Sequence, residues 1–272
     1  MVLWLTLAAA TAEVALALLG RVAPLFAAEW MLPVILMIAI GVGVPASGVF
    51  AGPVLAASTG RREVALTFDD GPDPRWTPPL LDLLDAHAQR ATFFVIGDRA
   101  ARHPELLCEI VRRGHEIANH TWSHSYLTAF RSAKELAIEL ERANALVANT
   151  TGVRPRWFRP PVGVLSPPIP VASEMAGLRL VSWTASARDG VHRTTVGQAF
   201  ARLERALRPG AILVLHDARL DGSTEPIACK VVDMLLTRMA ALGLRSVTLS
   251  QLVSVAGDPR DSAVKADAST EH

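Results

Sequence analysis

Glu63-Val-Ala-Leu-Thr-Phe-Asp-Asp-Gly-Pro72 is a short apolar run that ends in two adjacent carboxylates and a Gly-Pro turn. Its β-branched and aromatic content over Val64 to Phe68, stopped by turn residues, reads as a strand. Asp69 and Asp70 therefore sit at a strand end. About fifty residues further on comes His120-Thr-Trp-Ser-His124. One carboxylate and two imidazoles make a three-ligand metal site with a position open for water, and the second carboxylate remains available as a base. The four-residue spacing predicts imidazoles one helical turn apart, facing one ion. A histidine pair at this spacing is weak on its own, because surface helices carry it by chance; the pairing with Asp69-Asp70 gives it weight.

Short apolar runs alternate with helical patterns through the rest of the domain. Strands are predicted at Val64 to Phe68, Ala91 to Val95, Glu116 to Ala118, Trp157 to Phe158, Leu178 to Ser182, Ala211 to Leu215 and Ser246 to Val247. Helices are predicted at Pro78 to His87, Pro104 to Arg113, Ser132 to Asn149, Val196 to Leu207 and Ile227 to Leu242, with Gly114 and Gly243 as C-caps. Such alternation argues for an α/β fold with a parallel sheet, open or closed into a barrel, whose ligands bind at the C-terminal strand ends. Asp69, Asp70, His120, Arg159, Asp189 and His216 each follow a predicted strand closely, so they form a candidate site.

Charge divides the chain. Only Glu13, Arg21 and Glu29 among the acidic and basic residues precede residue 59. Val2 to Gly20 and Met31 to Phe50 are each near the length needed to span a bilayer, and they predict a membrane anchor of two transmembrane helices over residues 1–58. One helix with a surface segment, or a cleavable signal, are the other readings; no basic n-region precedes the first run. Arg21 and the Arg61-Arg62 pair argue opposite orientations, which leaves the side of the membrane open. The globular domain is expected over 59–256, and the polar stretch 257–272 is expected to be disordered. A net charge of +1 with no basic stripe excludes a nucleic-acid partner. Cys108 and Cys229 lack zinc-finger spacing and are either two buried thiols or one disulfide.

Taken together, Thr67-Phe-Asp-Asp-Gly-Pro72 and His120-Thr-Trp-Ser-His124 resemble the motifs of the polysaccharide deacetylase family, the NodB-homology or carbohydrate esterase family 4 domain, over about residues 62 to 255. The resemblance implies a distorted (β/α) barrel. It also implies a metal-dependent hydrolase that removes an N-acetyl group from an amino sugar of a poly- or oligosaccharide or glycolipid. Asp70, His120 and His124 are then metal ligands, and Asp69 is the base acting on metal-bound water. Zinc suits this donor set, and cobalt, nickel or manganese could also occupy it.

Phe158-Arg-Pro-Pro-Val-Gly163 is similar to the family's third motif, which makes Arg159 the residue orienting Asp69 and puts the Val162 N–H at the oxyanion. Ala211-Ile-Leu-Val-Leu-His-Asp217 is similar to the last motif, which makes His216 the acid and Val214 part of the wall around the acetyl methyl. Asp189 matches the carboxylate that orients this histidine. Val162 and Gly190 stand where the family usually has aromatics. These departures point away from crystalline chitin and toward a lipid-linked or nascent cell-surface saccharide reached from the membrane. The same parts allow O-deacetylation. A membrane-anchored saccharide-binding protein with weak catalysis is the alternative from another class; loss of a ligand, of Asp69 or of His216 would favour it, and none is lost. His87, His103, His115 and His192 fall outside the motifs as surface or packing residues.

Overall fold

In the computed structural model, which describes residues 61–190, 194–218 and 227–253, strand β1 (Glu63–Asp69) is buried along its whole length. Its two faces differ. Val64, Leu66 and Phe68 join the main apolar cluster under the helices, whereas Ala65 belongs to a second cluster on the opposite face. Successive side chains of a strand point to opposite faces, so Ala65, Thr67 and Asp69 form one inward row. The large apolar residues hold the sheet to its helices, each contributing roughly 1.5–3 kcal/mol by burial. The small and polar ones leave room for a site.

Seven more strands follow: β2 (Ala91–Val95), β3 (Glu116–Asn119), β4 (Trp157–Phe158), β5 (Arg179–Leu180), β6 (Ala185–Ser186), β7 (Ile212–His216) and β8 (Arg245–Ser246). All pairings are parallel. The order is β5-β4-β3-β2-β1-β7-β6, with β8 beside the start of β1. Laid flat, seven strands about 4.8 Å apart would hold their edges roughly 29 Å from one another. The link from Leu180 to Ala185 can span at most about 18 Å. The sheet must therefore curl until β5 and β6 approach. Among the described residues no pairing joins these two strands, so the result is a half-barrel.

The helices are α1 (Thr77–Ala86), α2 (Gly97–Arg102), α3 (Pro104–Arg112), α4 (Ala133–Thr151), α5 (Pro168–Met175), α6 (Val196–Glu204), α7 (Ala228–Ala241) and α8 (Leu249–Leu252). All five predicted helices are present. Three were not legible in the sequence. α2 is six residues long and starts on a glycine, and α8 is a single turn. α5 opens on Pro167-Pro168-Ile169-Pro170, which reads as a loop although proline is tolerated in a first helical turn. The predicted strand Leu178 to Ser182 is shorter than expected, and a separate two-residue strand, β6, follows it.

The predicted anchor 1–58 and the tail 257–272 lie outside the described residues, as does His192. Among the described residues no helix is long and apolar enough to cross a membrane. No disulfide joins Cys108 and Cys229, and Cys108 is exposed, so neither the disulfide nor a pair of buried thiols holds. His115 is a packing residue as expected: it is buried, and its Nδ1 accepts from the Ala91 N–H at 3.2 Å.

Candidate active site

The C-terminal ends of β1 and β7 lie side by side, and their register pairs Asp69 with His216. Asp69 closes the inward row of β1. Arg159 follows β4 and is completely buried. Its Nη1 donates to Asp69 Oδ1 at 2.7 Å and to Thr67 Oγ1 at 2.8 Å, and its Nη2 donates to the Ser182 carbonyl at 3.0 Å. Asp69 and Thr67 are two residues apart on one face of the strand, which is why a single guanidinium reaches both. Phe94 packs against the cation, 4.1 Å from ring centroid to guanidinium carbon. Burial works against the charge on Arg159, and Asp69 is the group that sustains it.

Asp70, the next residue, adopts a left-handed backbone (φ 75°). Such a conformation costs roughly 1–2 kcal/mol outside glycine. It turns the Asp70 side chain away from the β1 row, and the Asp70 carbonyl accepts from Arg99 Nη1 at 3.1 Å. Asp70 Oδ1 lies 3.4 Å from His120 Nε2 and 3.1 Å from His124 Nε2, and all three residues are buried. Burial alone would raise the Asp70 carboxyl; the two imidazoles outweigh it and hold the group far below the usual carboxylate range.

The histidine pair corrects the expectation of a helical turn. Residues 120–124 are a loop in which Thr121 (φ 68°) and His124 (φ 50°) both take left-handed conformations. The loop is pinned from beneath. Asn119 Oδ1 accepts from the Thr121 N–H, while Asn119 Nδ2 donates to Leu140 O and Asn144 Oδ1 on α4. The Gly97 N–H at the start of α2 donates to Thr121 O, and a Cβ on Gly97 would lie 2.6 Å from the Trp122 ring. Two helices thus impose the geometry that a third would otherwise supply.

These three side chains fit a divalent cation. Their ligand atoms lie within 4.8 Å of one another. Asp70 Oδ1 is buried with no hydrogen bond of good geometry. His120 Nδ1 lies 2.8 Å from the Arg159 carbonyl, which fixes Nδ1 as the donor and leaves Nε2 with its lone pair toward the site.

On the other side of Asp69, His216 is clamped twice by the buried carboxylate of Asp189. Oδ1 accepts from Nδ1 at 2.7 Å and Oδ2 from the His216 N–H at 2.9 Å. Burial favours neutral imidazole. Asp189 overrides it, helped by Asp70 and Asp69, and the His216 pKa rises to about 10.

A hollow of about 270 Å³ joins these groups. Asp69, Asp70, His120, His124, Val162, Val214 and His216 line it, together with Tyr126, Gly163, Trp183 and Gly190. Of the predicted site residues, Arg159 and Asp189 stand behind the wall and act through Asp69 and His216. Val162 (φ 52°) lies in the 3-10 turn Pro161–Gly163. A Cβ on Gly163 would lie 2.1 Å from Trp183, so glycine alone lets that turn close over the ring.

The sequence reading missed several contributors. Thr67 and Ser182 help hold Arg159, and Trp183 and Tyr126 shape the walls. Thr67 was in view inside the first motif. Tyr126 is the chain's single tyrosine, two residues after His124, and its position was a usable signal. Asp217, beside His216, is a further contributor that its motif does not single out. It is buried, accepts from Thr77 Oγ1 at 2.7 Å, and lies so close to Gly71 that a Cβ there would be 2.3 Å from its carboxylate. Burial raises its pKa to about 7.

A parallel half-barrel with a carboxylate and two imidazoles, flanked by an Arg-held carboxylate and an Asp-held histidine, defines the class of metal-dependent hydrolases. Comparison with known proteins narrows the class. The sequence profile of the polysaccharide deacetylase family matches residues 56–181. A chitooligosaccharide deacetylase from Bradyrhizobium sp. is 41% identical over 159 residues, which are 58% of this chain and 72% of that protein. A peptidoglycan-N-acetylglucosamine deacetylase from Bacillus cereus is 34% identical over 70% of this chain and 87% of its own length. Among solved structures, a family 4 acetyl xylan esterase from Clostridium thermocellum, in complex with a cobalt ion, is 33% identical. It superposes with a TM-score of 0.65 over 75% of this chain and 96% of its own. The chain belongs to the polysaccharide deacetylase family.

Proposed function

We propose that the chain hydrolyses the N-acetyl group of an amino sugar within a poly- or oligosaccharide or glycolipid, releasing acetate and leaving a free amine. One observation carries this reading: Asp69 and His216, register partners on adjacent strands, stand in one hollow with Asp70, His120 and His124. Those three residues would hold a divalent cation, zinc by donor type, which when bound polarises the acyl carbonyl and acidifies water. Asp69, held by Arg159, accepts the proton of the attacking water. The Val162 N–H, in the turn that borders the hollow, binds the oxyanion in this proposal. His216 gives its Nε2 proton to the nitrogen as the C–N bond breaks, because an amide nitrogen leaves poorly as an anion. Asp189, accepting from Nδ1–H, stabilises the doubly protonated imidazolium whose second proton sits on Nε2. Val214 and Trp183 wall the space for the acetyl methyl.

The likeness to an acetyl xylan esterase favours one second reading, removal of an O-acetyl group by the same residues. Residues 1–58 serve, in this proposal, as a membrane anchor of two transmembrane helices, supported by their two uncharged or nearly uncharged runs. The substrate is then a nascent or lipid-linked saccharide. Val162 and Gly190, in place of larger side chains, leave the rim less walled than long crystalline chitin would require.

The test is acetate release by the full chain from N-acetylated chito-oligomers, peptidoglycan fragments and acetyl esters. Release should fall about 10²–10⁴-fold in Asp69→Asn, the usual contribution of a positioned base. Equal release by wild type and variant would sink the reading.

A further inference from the structure

The turn that carries Asp69 and Asp70 is held from two sides. Asp70 keeps a left-handed backbone (φ 75°), which a residue other than glycine adopts only where its surroundings impose it. On one side, the Asp70 carbonyl accepts from Arg99 Nη1 at 3.1 Å and the Gly71 carbonyl from the Ile96 N–H at 2.8 Å. Both partners come from the segment that follows β2. Arg99 is also drawn by the charges of Asp73 and Asp217.

On the other side stands Asp217, the residue after β7. Its N–H donates to the Asp69 carbonyl at 3.3 Å. Its Oδ2 accepts from Thr77 Oγ1 at 2.7 Å. With that proton committed, Thr77 Oγ1 accepts from the Asp73 N–H at 2.9 Å. One residue thus reaches both ends of the turn 69–73. Its carboxylate also lies against the middle, because a Cβ on Gly71 would fall 2.3 Å from Oδ2 and 2.4 Å from Oδ1.

Asp217 gains little stability from this place. It is buried, and its Oδ1 has no hydrogen bond of good geometry. Burying such a group costs free energy, and an apolar side chain of similar size would fill the space without that cost. What only an acceptor does here is orient the Thr77 hydroxyl toward Asp73.

We propose that Asp217 is a positioning residue for the metal ligand Asp70: through Gly71 and the Thr77 hydroxyl it holds the turn in the conformation that sets the Asp70 carboxylate beside His120 and His124. Asp217 touches neither the cation nor the substrate. The inference rests on the cation site of the proposed hydrolase and is independent of the acyl group removed.

The experiment measures the zinc Kd of the chelator-treated full chain, by competition with a chromophoric chelator, beside the Tm of the metal-free chain. Asp217→Ala should raise Kd about 10–100-fold, the scale for residues that orient a metal ligand. Thr77→Val breaks the same link with a side chain of nearly equal volume and should also raise Kd. The double variant should lose less than the two losses combined, since both act on one link. Asp217→Asn keeps the acceptor and the shape and should retain most of the affinity. Thr248→Ala removes the cap of α8, next to β8 and the start of β1, and should lower Tm with Kd unchanged.

An unchanged Kd in Thr77→Val and Asp217→Ala, whatever their Tm, makes Asp217 a packing residue and overturns the inference. An equal rise of Kd in Thr248→Ala assigns the effect to general loosening and overturns it too. Should Asp217→Ala fail to fold, Thr77→Val decides alone. No zinc bound by the wild type removes the cation site and the inference with it. The expected losses of affinity, in a chain that releases no acetate from any N-acetylated oligomer, support the positioning role and remove the deacetylase reading alone.

Discussion

His216 and Asp189 illustrate how one contact sets a residue's chemistry. A histidine at the end of a buried strand would ordinarily be pushed toward neutrality, yet the bidentate carboxylate raises its pKa to about 10. A folded-state pKa above the unfolded value means that the pair's stabilisation is fully present below about pH 6.5 and is lost as pH rises through the folded value. Asp189→Asn should therefore lower the imidazole pKa and move the alkaline limb of the kcat/KM profile downward. An NMR titration of His216 in the metal-free chain reads the pKa without activity; no change on substitution would show that Asp189 does not set it. Arg159 shows the converse. It is a buried cation sustained by Asp69, the partner that the family resemblance implies. The additional bonds to Thr67 and Ser182 required the curled sheet, because they come from three separate segments.

At the scale of elements, the turns carry the site and the helices carry stability. Gly163 lets a 3-10 turn close against Trp183 and present Val162. Gly163→Ala should lower kcat by tenfold or more, the consequence of a displacement near 1 Å in a catalytic site. Ser132 is different. It caps α4 in a reciprocal box with Glu135, far from the reacting groups in function. Ser132→Ala should cost about 1 kcal/mol and lower Tm by a few degrees without changing kcat. Thermal melts and steady-state kinetics on the two variants together separate the roles; a kcat loss in Ser132→Ala would show that α4 controls the loop more tightly than its cap implies. The histidine loop marks where periodicity misleads. A four-residue spacing looks helical, but Asn119, α2 and two left-handed residues produce the same convergence in a loop.

For the whole molecule, the curl of the sheet matters most. It brings the ends of β1, β3, β4 and β7 to one mouth, where Asp70, His120 and His124 are buried side by side. Ligand binding to the folded state alone stabilises by mass action, about 2.7 kcal/mol at a hundredfold excess over Kd. Zinc or cobalt should thus raise the Tm of chelator-treated chain, and chelation should abolish acetate release. Asp70→Asn should lose the Tm response; a response of undiminished size in that variant would place the metal elsewhere.

The sequence by itself determined the alternation of strands and helices, the motif residues Asp69, Asp70, His120, His124, Arg159, Asp189 and His216, and the family they resemble. Those features are local: a strand's apolar run, a carboxylate pair at its end and histidines at fixed spacing are written in adjacent residues. The sequence could not show β6, because Ala185 and Ser186 offer no β-branched or aromatic side chain to mark a strand, nor α5, because a proline-rich start looks the same in a loop and in a first helical turn. Tertiary structure alone decided that Thr67, Ser182 and Trp183 surround Arg159, that Asp217 packs on Gly71, and that Arg99 and Arg102 stand beside Tyr126. Each of these contacts joins separate segments of the chain: neighbouring parallel strands bring Asp217 to Gly71 and α2 to Tyr126, and the curl of the sheet, imposed by a link too short for a flat one, brings Thr67 and Ser182 to Arg159.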